Sequence, residues 1–326
     1  MFNVFLIFFP TEALAAAREG LLLWFNNVLP SLLPFIVGIN ILRGAGAVRF
    51  IGEILSPVMR PVFNVSGAGG FALITGLTSG YPMGAKTVAE LRRENSISQA
   101  EAQRLMAFCN NAGPVFILGV AGTGLFGSAE AGYRLWFSHV AAALCVGLIM
   151  RFYKKEAVKS RVSGENVLNN AVEEFRKFRR KNDCSIGRVL GDGMMDAIRS
   201  VTAVGGFIIL FCVLVKALEV TGAINAGRDA DGGLLKGILT GLLEMTNGIK
   251  ILAQPTVSRG LARAAVTPAK LSCAAAVITF GGFSIHAQTL HFIRGTDIKT
   301  APYLICKLTG AVLAGGICWL TCITTI

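Results

Sequence analysis

Polar, glycine-rich interruptions fall inside membrane-length apolar runs of this chain, and they occur as a pair in each half. The first half carries Thr75-Gly-Leu-Thr-Ser-Gly-Tyr-Pro-Met-Gly-Ala-Lys86 and then Phe108-Cys-Asn-Asn-Ala-Gly-Pro114. The second half carries Thr240-Gly-Leu-Leu-Glu-Met-Thr-Asn-Gly-Ile-Lys250 and then Phe280-Gly-Gly-Phe-Ser-Ile-His-Ala-Gln288. In hydrocarbon every backbone N–H and C=O needs an internal partner, so a broken helix survives only where protein or a polar cavity surrounds the break. Breaks at corresponding places in two halves are the best sequence-level pointer to a transporter's binding site.

The membrane setting follows from composition. Of 326 residues, 53% are hydrophobic and 15% charged, against about 25% charged in an ordinary soluble domain. The net charge of +12 invites a nucleic-acid reading, but eleven of the 31 Lys and Arg lie between Arg151 and Arg188, in one hydrophilic stretch between apolar halves. The positive-inside rule makes that stretch cytoplasmic and close to anionic headgroups, and nucleic acid is not an expected partner. The eight cysteines show no CxxC and no metal-type spacing, so they read as small apolar residues, with neither zinc nor disulfides expected.

Leu21–Leu42 is the first clear membrane-length run, and Pro30 and Pro34 predict a kink in it. Residues 1–16 read as an apolar or interfacial segment rather than a cleaved signal peptide. Arg43–Pro61 reads as interfacial, Gly67–Gly84 as a glycine-riddled apolar piece, and Lys86–Arg104 as a charged helix. Met106–Phe126 is interrupted at Asn110–Pro114, and Gly132–Phe152 closes the half. The second half repeats the order: Val201–Val220, Gly232–Ala253 with its break at Glu244, Leu271–Phe292 with a break at Ser284/His286, and Ala301–Ile326. Glycines 76, 80, 84 and 233, 237, 241 recur at i, i+4, the spacing that lets helix backbones approach in lipid. The domain reading is therefore a segment 1–16, a repeat 17–152, a basic loop 153–189 with an amphipathic helix near 167–178, and a repeat 190–326. The repeats are expected to be inverted, since broken-helix transporters often have membrane-plane pseudosymmetry; charge bias in the connecting links does not decide it.

Gly80-Tyr-Pro-Met-Gly84-Ala-Lys86 is not a phosphate-binding loop, because Ala85 separates the Gly and Lys that such a loop needs adjacent. It reads better as a helix break: Thr78, Ser79, the Gly80 amide and Tyr81 offer polar groups. A half-helix opening at Pro82 would present an anion site that Lys86 reinforces. The plain alternative is a kink with Lys86 reaching the interface. Asn110 and Asn111 are either ligand-facing amides or interhelical hydrogen-bonding glue. Glu244 is an intramembrane acid, hence a functional hypothesis by default: it could bind a coupling Na+, carry H+, or pair with Lys86 or Lys250. Asn247, Ser284, His286 and Gln288 complete the candidate set, with His286 able to contact a ligand or take a proton, or simply be satisfied within the bundle. No catalytic constellation occurs in a credible context, so an enzyme is the weaker class.

Leu23-Trp-Phe-Asn-Asn-Val-Leu-Pro-Ser-Leu-Leu-Pro-Phe35, Ser79-Gly-Tyr-Pro-Met-Gly-Ala-Lys86 and Phe108-Cys-Asn-Asn-Ala-Gly-Pro-Val-Phe116 resemble the YlbJ (SpoVV) family of sporulation integral membrane proteins, part of the nucleoside-recognition Gate group. The resemblance implies a plan like the core of concentrative nucleoside transporters, with re-entrant hairpins whose tips meet at the substrate. It also implies a place in the outer forespore membrane and movement of dipicolinate, a planar pyridine dicarboxylate. The expectation is thus an all-α polytopic membrane protein with two repeats, acting as a secondary carrier of a small organic anion, with no resident cofactor. Ser79, Gly80, Lys86, Asn110 and Asn111 would hold carboxylates, while Glu244, Asn247, Ser284, His286 and Gln288 complete the site or bind a coupling ion. Nucleoside transport and a non-transporting scaffold are the alternatives, and a second copy of the chain is a candidate partner.

Overall fold

The computed structural model describes residues 2–154, 167–182, 184–224, 233–258, 261–263 and 267–324. Part of the basic stretch, 155–166, lies outside the described residues. Apart from a two-stranded antiparallel ribbon, Thr256–Ser258 with Leu261–Arg263, the described elements are helical. Five helices are long and apolar enough to cross a membrane, or six if one bent pair counts as a span.

The N-terminal region differs from the sequence reading. α1 (Phe2–Phe8) is followed by α2 (Pro10–Leu23), a π-wound turn Trp24–Val28, and α3 (Leu29–Gly44), so Pro10–Gly44 forms one 35-residue candidate span. The segment around residues 11–20 therefore belongs to the bundle. The reason is packing: Gly20 lies against Ile209 and Cys212 of α10 (Ile186–Val220), and Trp24 Nε1 donates to Val201 O at 3.0 Å. α10 itself starts well before Val201, inside what the sequence suggested was loop.

The stretch read as interfacial folds as α4 (Ala47–Phe63). It meets α5 (Gly67–Ser79) at 90°. α9 (Val167–Lys181) packs on α4, with Phe175 edge-on to Phe50 at 6.3 Å, so the basic helix docks on the bundle through its apolar stripe.

α5 and α6 (Met83–Arg93) form the first hairpin, with Gly80–Pro82 at its tip. The charged segment after Lys86 is two helices. Asn95 turns at φ 53°, and a capping box opens α7 (Gln99–Cys109), with Ser98 accepting from Glu101 N at 3.2 Å and Glu101 accepting from Ser98 N at 2.8 Å. α7 ends at Cys109, the chain is extended through Asn110–Gly113, and a π-wound segment Val115–Leu125 resumes. α8 (Ala129–Met150) completes the half.

The second half also carries a hairpin, a broken helix and a closing helix. α11 (Leu234–Leu243) and α12 (Met245–Leu252) form a hairpin turning at Glu244. α13 (Pro268–Phe280) and α14 (Gly282–Ile293) are separated by a break at Gly281, and α15 (Thr300–Ile323) packs on α13 and α8. The break thus lies at Gly281 and not at Ser284/His286, because Gly281 and Gly282 take φ of +90° and +70°, a backbone that side chains disfavour.

The first glycine series is not a ladder on one helical face. Gly76 and Gly84 stand on opposite arms of the hairpin and clasp the end of α7 between them. A Cβ would lie 1.6 Å from Cys109 O at Gly76 and 1.8 Å at Gly84. In the second half a Cβ on Gly248 would lie 2.2 Å from Gly241 Cα, so close backbone approach holds that hairpin too.

Gly76→Ala and Gly84→Ala should each destabilise by roughly 1–3 kcal/mol, the cost of overpacking, read as a lower thermal midpoint in detergent. Gly119→Ala, at a position with nothing within 4 Å, should leave the midpoint unchanged or higher.

Candidate functional site

The four breaks converge. A cavity of about 80 Å³ is lined by Thr78, Ser79, Gly80 and Tyr81 of the first hairpin tip, Ala112 and Gly113 of the α7 break, Glu244 of the second hairpin tip, and Ser284 and Gln288 of α14. Phe35 of α3, Phe116, and Val204 and Ile208 of α10 close it with apolar surface. The tips touch: a Cβ on Gly80 would lie 2.5 Å from Gly113 N, and one on Gly282 would lie 2.8 Å from Gly241 O. Bare backbone at these places brings the two interruptions of each half into contact, and across the halves a Cβ on Gly281 would lie 3.3 Å from the Tyr81 ring.

Several polar groups around the cavity are buried without a hydrogen-bond partner among the described residues: Ser79 Oγ, Gln288 Oε1 and, further back, His286 Nε2 and Asn110 Oδ1. Buried polar atoms are nearly always paired, so unpaired ones beside a cavity mark where a solute or water belongs. Glu244 is the single acid on the cavity wall. It is also the N-cap of α12, accepting from Asn247 N at 2.8 Å, which places its negative charge at the positive end of a half-helix.

Other sequence candidates lie elsewhere. Lys86 does not reach the cavity; it ion-pairs with Asp196 of α10, donates to Ser200 Oγ at 2.8 Å and lies 3.8 Å from Glu90, beside a separate 260 Å³ cavity with Arg199 and His291. One turn into α6, its side chain points back toward α10, away from the hairpin tip. Glu244 pairs with neither Lys86 nor Lys250 among the contacts found; Lys250 reaches Glu19 at 3.3 Å. Asn247 faces the other side of its hairpin, with Nδ2 3.6 Å from Cys212 Sγ. Asn111 Nδ2 returns to Phe108 O at 2.7 Å, a local cap of α7.

Asn110 and His286 join a network behind the cavity. Asn110 Nδ2 donates to Thr289 Oγ1 at 2.9 Å and Tyr303 OH at 3.1 Å, and His286 Nδ1 lies 3.0 Å from the same hydroxyl. Beside it, Tyr81 OH donates toward Thr279 O at 3.0 Å and Ile278 O at 3.2 Å, the open C-terminal carbonyls of α13. Lys307 of α15 donates to Tyr81 OH at 2.9 Å and to Asn110 O, the open carbonyl ending α7, at 2.7 Å. His139 of α8 accepts Ala112 N–H at Nε2, 3.1 Å, so its proton is on Nδ1 and faces Thr279 Oγ1 at 2.8 Å. Sequence reasoning missed Lys307, His139, Tyr303, Thr279 and Thr289. For Lys307 the signal was present: it is the one charged residue in the final apolar run, and an intramembrane charge marks a functional candidate.

The nucleoside-recognition (Gate) family matches residues 25–126, the stretch that holds the first hairpin and the first broken helix. Over 319 residues the chain is 35% identical to the sporulation integral membrane protein YlbJ of Bacillus subtilis (strain 168), covering 94% of this chain and 76% of that protein. This chain belongs to the YlbJ family. It is an integral membrane protein, as its apolar helices require. No solved structure matches it. The YlbJ relationship spans both halves, whereas the Gate match holds only the first hairpin tip and the first broken helix.

Tyr81→Phe removes the hydroxyl that joins Lys307 to the end of α13. It should cost about 1–3 kcal/mol, since buried partners are left unsatisfied, seen as a lower thermal midpoint of the purified protein.

Proposed function

We propose that this YlbJ-family chain is a secondary carrier of a small organic anion, with dipicolinate the preferred substrate, acting in the outer forespore membrane with its basic stretch in the cytoplasm. The observation that carries this reading is the convergence of four broken segments, two from each half, around one cavity with unpaired polar atoms. Scaffolds have no need of such a cavity, and binding at a repeat interface formed by discontinuous helices is how many secondary transporters work.

The lining suits a flat ring bearing polar ends. Phe35 and Phe116 offer aromatic surface, while Ser79, Ser284 and Gln288 offer hydroxyl and amide donors to carboxylates; the Ser31 and Thr78 hydroxyls are spent on Asn27 O and Ile74 O. The cavity wall carries Glu244 but no Lys or Arg. A dianion beside an ionised Glu244 would be repelled strongly at this depth, so the anion enters with a proton on Glu244, and the two move together. About 80 Å³ has room for a few waters, so a pyridine dicarboxylate fits only after the hairpin tips separate, the motion that alternating access requires.

A nucleoside is the second reading, favoured by the Gate match over the first hairpin and first broken helix. A nucleoside would need no proton on Glu244, since it is uncharged.

Uptake into vesicles holding the purified protein separates the two. Dipicolinate uptake should exceed uridine uptake and rise when the outside is acidified. Ser79→Ala and Gln288→Ala should each raise the apparent KM for dipicolinate by roughly 2- to 10-fold, one net hydrogen bond's worth. Glu244→Gln should still exchange dipicolinate but no longer respond to the proton gradient. Preference for uridine with no pH response would replace dipicolinate by the nucleoside reading, and uptake of neither would end the carrier reading.

A further inference from the structure

Lys307 is a buried cation that the transport reading above does not use. It lies on α15 at 3% exposure, and among the described residues no carboxylate pairs with it. Its ammonium is held by dipoles, Asn110 O at 2.7 Å and Tyr81 OH at 2.9 Å, with Nζ at the hydroxyl end of the Tyr81 ring, 4.8 Å from its centroid. Asn110 is the C-cap of α7, so the carbonyl that Lys307 takes is the negative end of a half-helix inside the bundle. Tyr81 belongs to the first hairpin tip and lines the cavity.

In transporters built from discontinuous helices, unwound carbonyls and half-helix C-terminal ends are where a coupling cation binds. Here that place, between the first hairpin tip and the first helix break, is filled from the opposite half of the chain. We infer that the Lys307 ammonium is a resident cation, occupying the site where a soluble monovalent cation would otherwise bind, so that assembly of the first hairpin against the α7 break is independent of sodium. The alternative is that Lys307 serves only as a hydrogen-bond donor and space filler. A neutral side chain could satisfy one carbonyl, but the half-helix end attracts positive charge specifically, and two oxygens face the ammonium together. His139 is consistent with this: its Nε2 accepts a backbone N–H, so it adds no second positive charge nearby.

This deepens the carrier reading, but its first test does not depend on transport. Lys307→Ala removes the ammonium and leaves space where it stood. The thermal midpoint of the purified full-length variant should fall, and ethylammonium or sodium should raise it again, while choline at equal ionic strength should not. Wild type and Lys307→Met, whose side chain fills the space without charge, should not respond to these cations. An alanine variant indifferent to ethylammonium and sodium, or a wild type that responds equally, overturns the inference.

The second arm is uptake in vesicles. Wild-type uptake should be unchanged when choline replaces sodium, whereas Lys307→Ala should gain a dependence on sodium or ethylammonium of about 5-fold or more, the scale of ordinary site–site coupling. Wild-type uptake that already requires sodium would overturn the inference. Should Lys307→Ala fail to fold, Lys307→Arg and Lys307→Met decide: charge retention predicts that Arg keeps uptake and Met loses it, and equal behaviour of the two sinks the idea. If wild type carries neither dipicolinate nor uridine, the carrier reading fails while the cation response of the alanine variant still stands or falls by itself.

Discussion

Breaking a helix inside a membrane frees carbonyls and amides that lipid cannot satisfy, and the rest of this structure is arranged around answering them. The end of α7 is met by Lys307 of the other half, the end of α13 by Tyr81 of the first hairpin, and the Ala112 amide by His139. Each answer crosses between elements distant in sequence, by 197, 198 and 27 residues respectively. The breaks therefore do more than create a cavity. They tie the two halves together, since neither half supplies all the partners for its own interruptions.

Much of this was legible from the chain because the breaks advertise themselves. Asn110-Asn111 before Gly113-Pro114, and Glu244 within a leucine-rich run, are costly in hydrocarbon unless something is gained, and both are real interruptions. The family strings near Trp24, Ser79 and Phe108 also lie where the halves meet. What could not be read was direction. Lys86 is one turn from the hairpin tip in sequence, yet its side chain points to α10 and Asp196; only the rotation of α6 decides that. His286 and Asn110 likewise face the network behind the cavity and not the cavity itself. Spacing along a chain puts a residue near a break without saying which side of the break it faces.

Boundaries failed for a related reason. The sequence reading set residues 1–16 apart and started its first span at Leu21, whereas Pro10 opens a helix that runs on, as proline can at a first helical turn. The basic loop was read as running to residue 189 and the next span as starting at Val201, whereas α10 begins at Ile186. Its polar Asp196 and Ser200 meet Lys86, so polarity there reflects a partner within the protein. In membrane proteins a polar residue within a long helix is ambiguous until its neighbour is known.

One rule orders most of the buried charges. Cations lie at the C-terminal ends of helices. Lys307 is at α7 and Lys270 meets Gln254 O just past α12. Arg104 donates to Tyr153 O beyond α8 at 2.9 Å, and the exposed Arg93 follows the same rule, donating to Phe292 O in the last turn of α14 and to Arg294 O just past it at 2.6 and 2.8 Å. Carboxylates lie at N-terminal ends: Glu101 in the first turn of α7, Glu244 at α12. Complementing helix dipoles stabilises charge at these ends, and looking for ion pairs in the sequence would not have found it. Of these dipole-bound charges, Glu244 alone lines the cavity. The rest are consumed by architecture, so whatever charge a solute brings to the centre of this bundle is met first by Glu244.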